Sequence, residues 1–321
     1  MLRAFRHVAG HLEPLPQGDD LALAIWIDLY SPTERQVEQI AGLSIAVPTL
    51  ADMEEIEISN RLYREGGMEW MTVVLPGQST TKQPIAGPVT FILSPQRVVT
   101  VRHHAPRPFE TYPERADRTG AGCATPDQIF LGLTEEITGR LADLLEGAGK
   151  GIDAVSQSVF RHGAVTIPRA EDLRSALERV GQEAELLSQI RLALLTLGRA
   201  IGFFGQTVKE RPVAGTLKPA VTGLMRDIQA LEVHTDYLSS RVTQVSDAVL
   251  GMINLNQNAT IRIVSVVAVL FLPPTLIASV YGMNFAHMPE LAQPWGYPVA
   301  LVAMAGASLG VWAYFRWKNW L

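Results

Sequence analysis

Near the end of the chain, one helical stripe gathers the residues whose chemistry is easiest to specify. Stepping by three and four residues from Asp247, it runs through Gly251, Asn254, Asn258, Ile261, Ser265, Ala268, Leu272, Thr275 and Ser279. The stripe offers a carboxylate, carboxamides and hydroxyls, the oxygen groups that hard divalent cations and their bound waters contact. The other faces hold Val266, Val267, Val269, Leu270, Phe271, Ile277 and Val280. A helix that is apolar toward lipid and small or polar along one stripe turns that stripe inward; close helix packing through small residues is the competing reading. The aligned aspartate and asparagines favour a water-filled path. A single such helix encloses a path only when several chains gather. Asp247, three turns below Asn258, would then form a ring of carboxylates at the path's inner entrance. Pro273 and Pro274 should bend the helix and free backbone carbonyls, which is tolerated where water or neighbours satisfy them.

No constellation for catalysis emerges. Gly147-Ala148-Gly149-Lys150-Gly151 lacks the spacing and the Ser/Thr of a phosphate loop, and it lies in a helical stretch rather than after a strand. His103 and His104 are adjacent on an expected strand, so they point to opposite faces and read as surface histidines rather than a shared metal site. Asp52, Glu54, Glu55 and Glu57 read as a solvated helix face. HExxH, paired CxxC and GxSxG motifs do not occur. The sequence therefore predicts neither an enzyme nor a bound cofactor. A net charge of −5 argues against a nucleic-acid partner. The single cysteine, Cys123, excludes an internal disulfide.

The elements that must position the stripe follow from charge and length. The mean hydropathy of +0.14 hides a sharp division. Charges are scattered through residues 1 to 262, whereas Ile263 to Phe315 carries only Glu290 and one histidine, His287. Ile263–Tyr281 and Trp295–Phe315 are each long enough to cross roughly 30 Å of hydrocarbon. Arg262 precedes the first span, Arg316 and Lys318 follow the second, and the loop of residues 282–296 has no Lys or Arg. The positive-inside rule then puts both termini in the cytoplasm. Met1 to Gly10 has no apolar signal core, so no signal peptide is expected.

The remaining chain reads as two parts. Leu21–Leu29, Glu69–Leu75, Val89–Leu93 and Arg97–Val101 predict strands. Ser31-Pro32-Thr33-Glu34 predicts a capping box opening a helix to about Gly42. Residues 1–120 should thus form an α/β domain and 121–261 long helices. These helices run from Thr125 to about His162, from Pro168 to about Glu210, and from Leu217 to Tyr281, the last near 100 Å long. Residues 262–321 complete an α+β membrane protein as a two-helix hairpin.

Phe271-Leu272-Pro273-Pro274-Thr275-Leu276-Ile277-Ala278, Tyr281-Gly282-Met283-Asn284-Phe285, Met288-Pro289-Glu290-Leu291, Trp295-Gly296-Tyr297-Pro298 and the ending Lys318-Asn319-Trp320-Leu321 closely resemble the CorA family of bacterial magnesium transporters. The Gly-Met-Asn signature stands at the outer end of the first span. Trp26-Ile27-Asp28-Leu29 is similar to the family's early strand. The resemblance implies a homopentamer in the bacterial inner membrane, a funnel-shaped cytoplasmic domain, a long pore helix and passive influx of Mg²⁺, often with Co²⁺ or Ni²⁺. It also implies a selectivity filter at Gly282, Met283 and Asn284, whose amide carbonyls would read a hydrated ion, and it allows Mg²⁺ as a regulator. Asn258 and Asp247 would meet the ion through its waters, with Thr275 and Ser279 along the wall and Ile261 and Leu272 as a hydrophobic gate. By alignment Val264 faces the pore; by periodicity Ser265 does. In the loop, His287 stands where relatives commonly place an acid, leaving Glu290 as the only carboxylate; protonated His287 would oppose cation entry. A ZntB-like zinc transporter shares this architecture, and a membrane-anchored binding or signalling protein is the alternative from another class.

Overall fold

The computed structural model describes residues 1–16, 18–161, 169–208, 214–283, 288–289 and 293–318. The chain divides into two compact units, Met1–Ser158 with Leu177–Val245, and Val159–Ala176 with Ser246–Leu321.

The first unit is built on a seven-stranded sheet. β1 (Leu2–Val8) and β2 (His11–Pro14) form an antiparallel hairpin through Ala9 and Gly10, both at positive φ, as a tight hairpin turn requires. β3 (Trp26–Tyr30) pairs with β1 and, in parallel, with β7 (Val98–Arg102). Between β3 and β7 come three short helices, α1 (Glu34–Ala41), α2 (Leu50–Glu54) and α3 (Ile58–Arg61). The antiparallel strands β4 (Leu62–Glu65), β5 (Met68–Gln78) and β6 (Pro84–Leu93) follow. The strand order is β2-β1-β3-β7-β6-β5-β4.

Leu21–Leu29 is not one strand. Asp20 accepts the Ala22 N–H at 2.8 Å and caps a 3-10 turn at Leu21–Leu23, so pairing begins only at Trp26. The helix after β3 is capped by Thr33, not Ser31. Gln36 reciprocates from the third helical position, and Ser31 sits at φ 43° outside the helix. Asp52 is likewise bound into the Thr49 capping box.

Alternation along the strands separates two apolar layers. Ile27, Leu29, Val99, Val101 and Ile92 join Ile40, Ile45 and Met53 on one face. On the other, Trp26 stacks on Phe5 and meets Tyr112 edge-on, while Phe91 packs against Phe109 of α4 (Pro108–Arg115) and Phe130 of α5 (Pro126–Arg161). Asp28 lies wholly buried on this second face. It accepts from Thr100 Oγ1 at 2.9 Å, Arg102 Nε at 3.0 Å, Arg102 Nη2 at 2.9 Å and Arg3 Nη2 at 2.9 Å.

The long helix α6 (Ala170–Val208) covers the sheet's open edge. β4 pairs with β5 only as far as Met71, and beyond it the Val74 N–H donates to Thr196 Oγ1 of α6 at 3.0 Å. Glycines set the close helix contacts: Gly149 lies against Leu238, and Gly198 against Ile228, both of α7 (Ala214–Tyr281). The Gly147–Gly151 segment lies inside α5 and serves packing.

His103 and His104 are not surface histidines, nor do they lie on a strand. β7 ends at Arg102. His104 is 2% exposed, its Nε2 donates to the Leu75 carbonyl at 2.9 Å, and its ring is seated against Gly77 and Gly87. Half-buried His103 keeps Nε2 out of solvent too.

Candidate ion pathway

Among the described residues, three helices are long and apolar enough to cross a membrane: α6, α7 and α8 (Gly296–Trp317). In α6, 44% of the most apolar window is buried, against 6% in α7 and in α8. The apolarity of α6 is therefore spent on its own unit, where Leu194, Leu197, Ile201 and Phe204 are fully buried. The windows of α7 and α8 leave Ile263, Val267, Phe271, Leu276, Val302 and Leu309 exposed, as lipid-facing surfaces do.

The second unit contains the candidate pathway. From Thr260 to Tyr281, the residues of α7 that are buried or half-buried are Val266, Leu270, Pro273, Pro274, Ile277 and Tyr281. Their spacing by three, four or one puts them on one face. On α8 the covered residues, Gly296, Ala300, Met304, Ala307, Ser308, Val311 and Phe315, repeat in the same way. The two helices meet where Ser308 Oγ lies 3.5 Å from the Leu270 carbonyl.

The oxygen-bearing stripe occupies the opposite side of α7. At 3.6 residues per turn, Ile261, Ser265, Ala268, Leu272, Thr275 and Ser279 centre about half a turn from the α8-covered face. All are exposed, as are Asp247, Gly251, Asn254 and Asn258 further down the same helix. Val264, 63% exposed, and Ser265 flank the stripe on its two sides, so the structure leaves both as candidates. Thr275 turns its hydroxyl to the Phe271 carbonyl of its own helix at 2.7 Å, which satisfies the donor and leaves oxygen lone pairs free to accept.

α7 ends where the signature begins. Gly282 N–H donates to Ala278 O at 2.9 Å, and Met283 N–H to Val280 O at 3.3 Å. A Cβ at position 282 would lie 3.1 Å from the Ala278 carbonyl, so glycine here serves close approach rather than a positive φ. Asn284, His287 and Glu290 lie outside the described residues. Among the described residues no group of three or more His, Cys, Asp or Glu side chains stands ready to hold a metal. Neutral oxygens thus dominate the stripe, with Asp247 its one carboxylate.

Sequence reasoning placed the stripe but missed Ser308. The signal was available in principle, because a proline at 274 withdraws the donor from the carbonyl at 270. Which hydroxyl answers it depends on how the two spans pack.

The model of a family described as CorA-like Mg²⁺ transporter protein matches residues 22–317. A magnesium transport protein CorA of Yersinia pestis is 31% identical, with all of both chains covered. That of Escherichia coli K12 is also 31% identical over the whole of both chains, and that of Pasteurella multocida is 34% identical over 94% of this chain and 93% of its own. Among solved structures, the complete CorA magnesium transporter of Methanocaldococcus jannaschii superposes with a TM-score of 0.75 at 15% identity, covering 100% of this chain and 99% of that one. The ZntB cytoplasmic domain of Vibrio parahaemolyticus shares the fold over 79% of this chain and 98% of its own, at a TM-score of 0.56 and 8% identity.

Proposed function

The chain belongs to the CorA-like Mg²⁺ transporter family, a family of transporters and not of enzymes, and from that premise we propose that it conducts Mg²⁺ passively into the bacterial cytoplasm as an inner-membrane homopentamer. The observation that carries this reading is the placement of the oxygen-bearing stripe opposite the face of α7 on which α8 packs. With α8 on the outside, copies gathered around an axis turn the stripe inward. The family resemblance supports five copies, and the charges flanking the spans, Arg262, Arg316 and Lys318, favour both termini inside.

The chemistry suits a hydrated dication. Mg²⁺ gives up its water reluctantly. Amide carbonyls at Asn284, next in sequence after Gly282 and Met283, can accept hydrogen bonds from the ion's own waters. Asn258 and, deeper, Asp247 meet the same shell, with Asn254, Ala268, Thr275 and Ser279 lining the way. Ile261 and Leu272, 63% and 67% exposed in the single chain, supply the apolar constriction. Glu290 draws cations to the mouth and His287, when protonated, opposes it. Two charges falling through 100 mV gain about 4.6 kcal/mol, so no second energy source is required.

The test is ion flux into proteoliposomes holding the purified protein, comparing Mg²⁺, Co²⁺, Ni²⁺ and Zn²⁺ with and without an imposed proton gradient. We expect Mg²⁺ entry driven by an inside-negative potential alone, with Co²⁺ and Ni²⁺ as further substrates. Zn²⁺ entry that depends on the proton gradient, without Mg²⁺ entry, would overturn it.

A further inference from the structure

A proline within a helix removes the N–H that would bond the carbonyl four residues earlier. Pro273 and Pro274 lie inside α7, so the carbonyls of Val269 and Leu270 lose their intrahelical donors. In hydrocarbon no water stands ready to replace them. Thr275, one residue on, cannot help Leu270, because its hydroxyl donates to Phe271 O at 2.7 Å. Among the described residues, the side chain that reaches the Leu270 carbonyl is Ser308 of α8, with Oγ at 3.5 Å, the outer limit of a hydrogen bond.

We propose that Ser308 is a positioning residue for the ion pathway, its hydroxyl standing in for the backbone donor that Pro274 removes from the Leu270 carbonyl. The inference rests on reading α7 as the pathway helix. Leu270 lies on the α8 side, and Ala268 and Leu272 lie on the opposite stripe. The angle of α7 across Pro273 and Pro274 therefore sets how far the Leu272 constriction projects toward the axis. Ser308 ties that angle to the outer helix. A contact at the limit of hydrogen bonding is made or lost by a small tilt of α8.

The pairing predicts a specific dependence between two positions. Alanine at 274 restores an N–H four residues after Leu270, so the serine becomes redundant in that background. Ser308→Ala, Pro274→Ala, the double variant and Ser308→Thr would be reconstituted as full-length protein. We expect Ser308→Ala to change the maximal Mg²⁺ flux by about three- to tenfold, the range of one interhelical hydrogen bond. The half-saturating external Mg²⁺ should stay unchanged, since the mouth is untouched, and Ser308→Thr should behave as the parent. In the Pro274→Ala background the same substitution should do nothing. If Pro274→Ala does not conduct, the cycle is read in the thermal unfolding midpoints of the four purified proteins. A Ser308→Ala variant that conducts like the parent, or equal effects of Ser308→Ala in the two backgrounds, would overturn the proposal. A parent protein that passes no Mg²⁺ would instead overturn the functional reading, and the midpoint cycle would still judge the contact.

Discussion

Acid should weaken the sheet unit through one histidine. His104 is 2% exposed, and burial pushes its imidazole down from 6.5 to about 4, with the nearby Arg102 and His103 adding to the effect against the Leu75 hydrogen bond. The neutral ring donates from Nε2 to Leu75 O and keeps Nδ1 buried without a partner among the described residues. There is no room beside that nitrogen: a Cβ on Gly87 would come within 2.8 Å of it. The unfolded chain takes up its proton near the reference value, and the folded chain only near 4. Between those values the unfolded state binds more protons, so the stability present above pH 6.5 is lost as pH falls toward 4. At 1.36 kcal/mol per unit, the loss is about 2 kcal/mol at pH 5 and about 3 kcal/mol at pH 4. For a unit of this size the pH 5 figure corresponds to roughly 4–8 °C in unfolding midpoint. The assay is thermal unfolding of the detergent-purified protein, followed by fluorescence of Trp26 and Trp70, both buried in this unit. Midpoints at about pH 7.5 and pH 5 are compared between the parent and His104→Gln, which keeps a donor for Leu75 but does not titrate. Carboxylates elsewhere titrate in both proteins and cancel. Parallel midpoint-versus-pH lines for the two would refute the argument.

Removing the guanidinium in Arg102→Met strands a fully buried Asp28 carboxylate with Thr100 and the part-exposed Arg3, and should cost about 3–5 kcal/mol in denaturant unfolding. Arg3→Met should cost clearly less, because Arg102 keeps its paired contact. On the proposed function, Asn284→Ala should abolish Mg²⁺ uptake in proteoliposomes while size-exclusion chromatography still finds the assembled oligomer; unchanged flux would remove Asn284 from the proposed filter. Asp247→Asn should lower conductance or alter block by polyvalent cations, measured in planar bilayers, and a variant unchanged on both counts would mark Asp247 as an ordinary solvated helix residue.

Length and patterning made the helical half legible. Thr125 caps α5 as its sequence suggests, accepting the Gln128 N–H on its hydroxyl, and α7 runs through both prolines to Tyr281. The sheet was legible only where strands are apolar. β5 and β6 were recognised in shortened form and β7 one residue early, whereas β1, β2 and β4 were not. β1 interleaves Arg3, Arg6 and His7 with apolar residues, and the other two are four residues each, so none shows the apolar run of a buried strand. The histidine pair misled for a related reason. Adjacent residues on a strand do face opposite ways, but opposite faces mean exposure only when one face meets water. β7 is buried along its whole length, and the chain leaving it carries His104 into the first unit's interior. The Asp28 cluster was invisible because its partners Thr100 and Arg102 stand far along the chain on a strand whose parallel register no local pattern fixes. For the pathway, periodicity found the stripe, but a free carbonyl in one span says nothing of which residue in the other answers it.

On the proposed function, the distribution of charge along α7 bears on how a path lined by the stripe would conduct as well as bind. The stripe's one carboxylate, Asp247, precedes Ile263 by about 24 Å of helix, well below the apolar span, where water and salt reach it. Within the span the stripe holds hydroxyls and small residues, with no formal charge from Ile263 to Gly282. A dication in hydrocarbon next to a ring of carboxylates would be held by attraction that low permittivity makes severe, and it would leave slowly. Neutral acceptors that touch only its water shell hold it weakly at each step, which is the condition for successive sites to pass an ion along. The same neutrality leaves the span little attraction of its own. On the proposed function, concentrating the ion falls to the carboxylates of Asp247 and Glu290, while the potential supplies the direction.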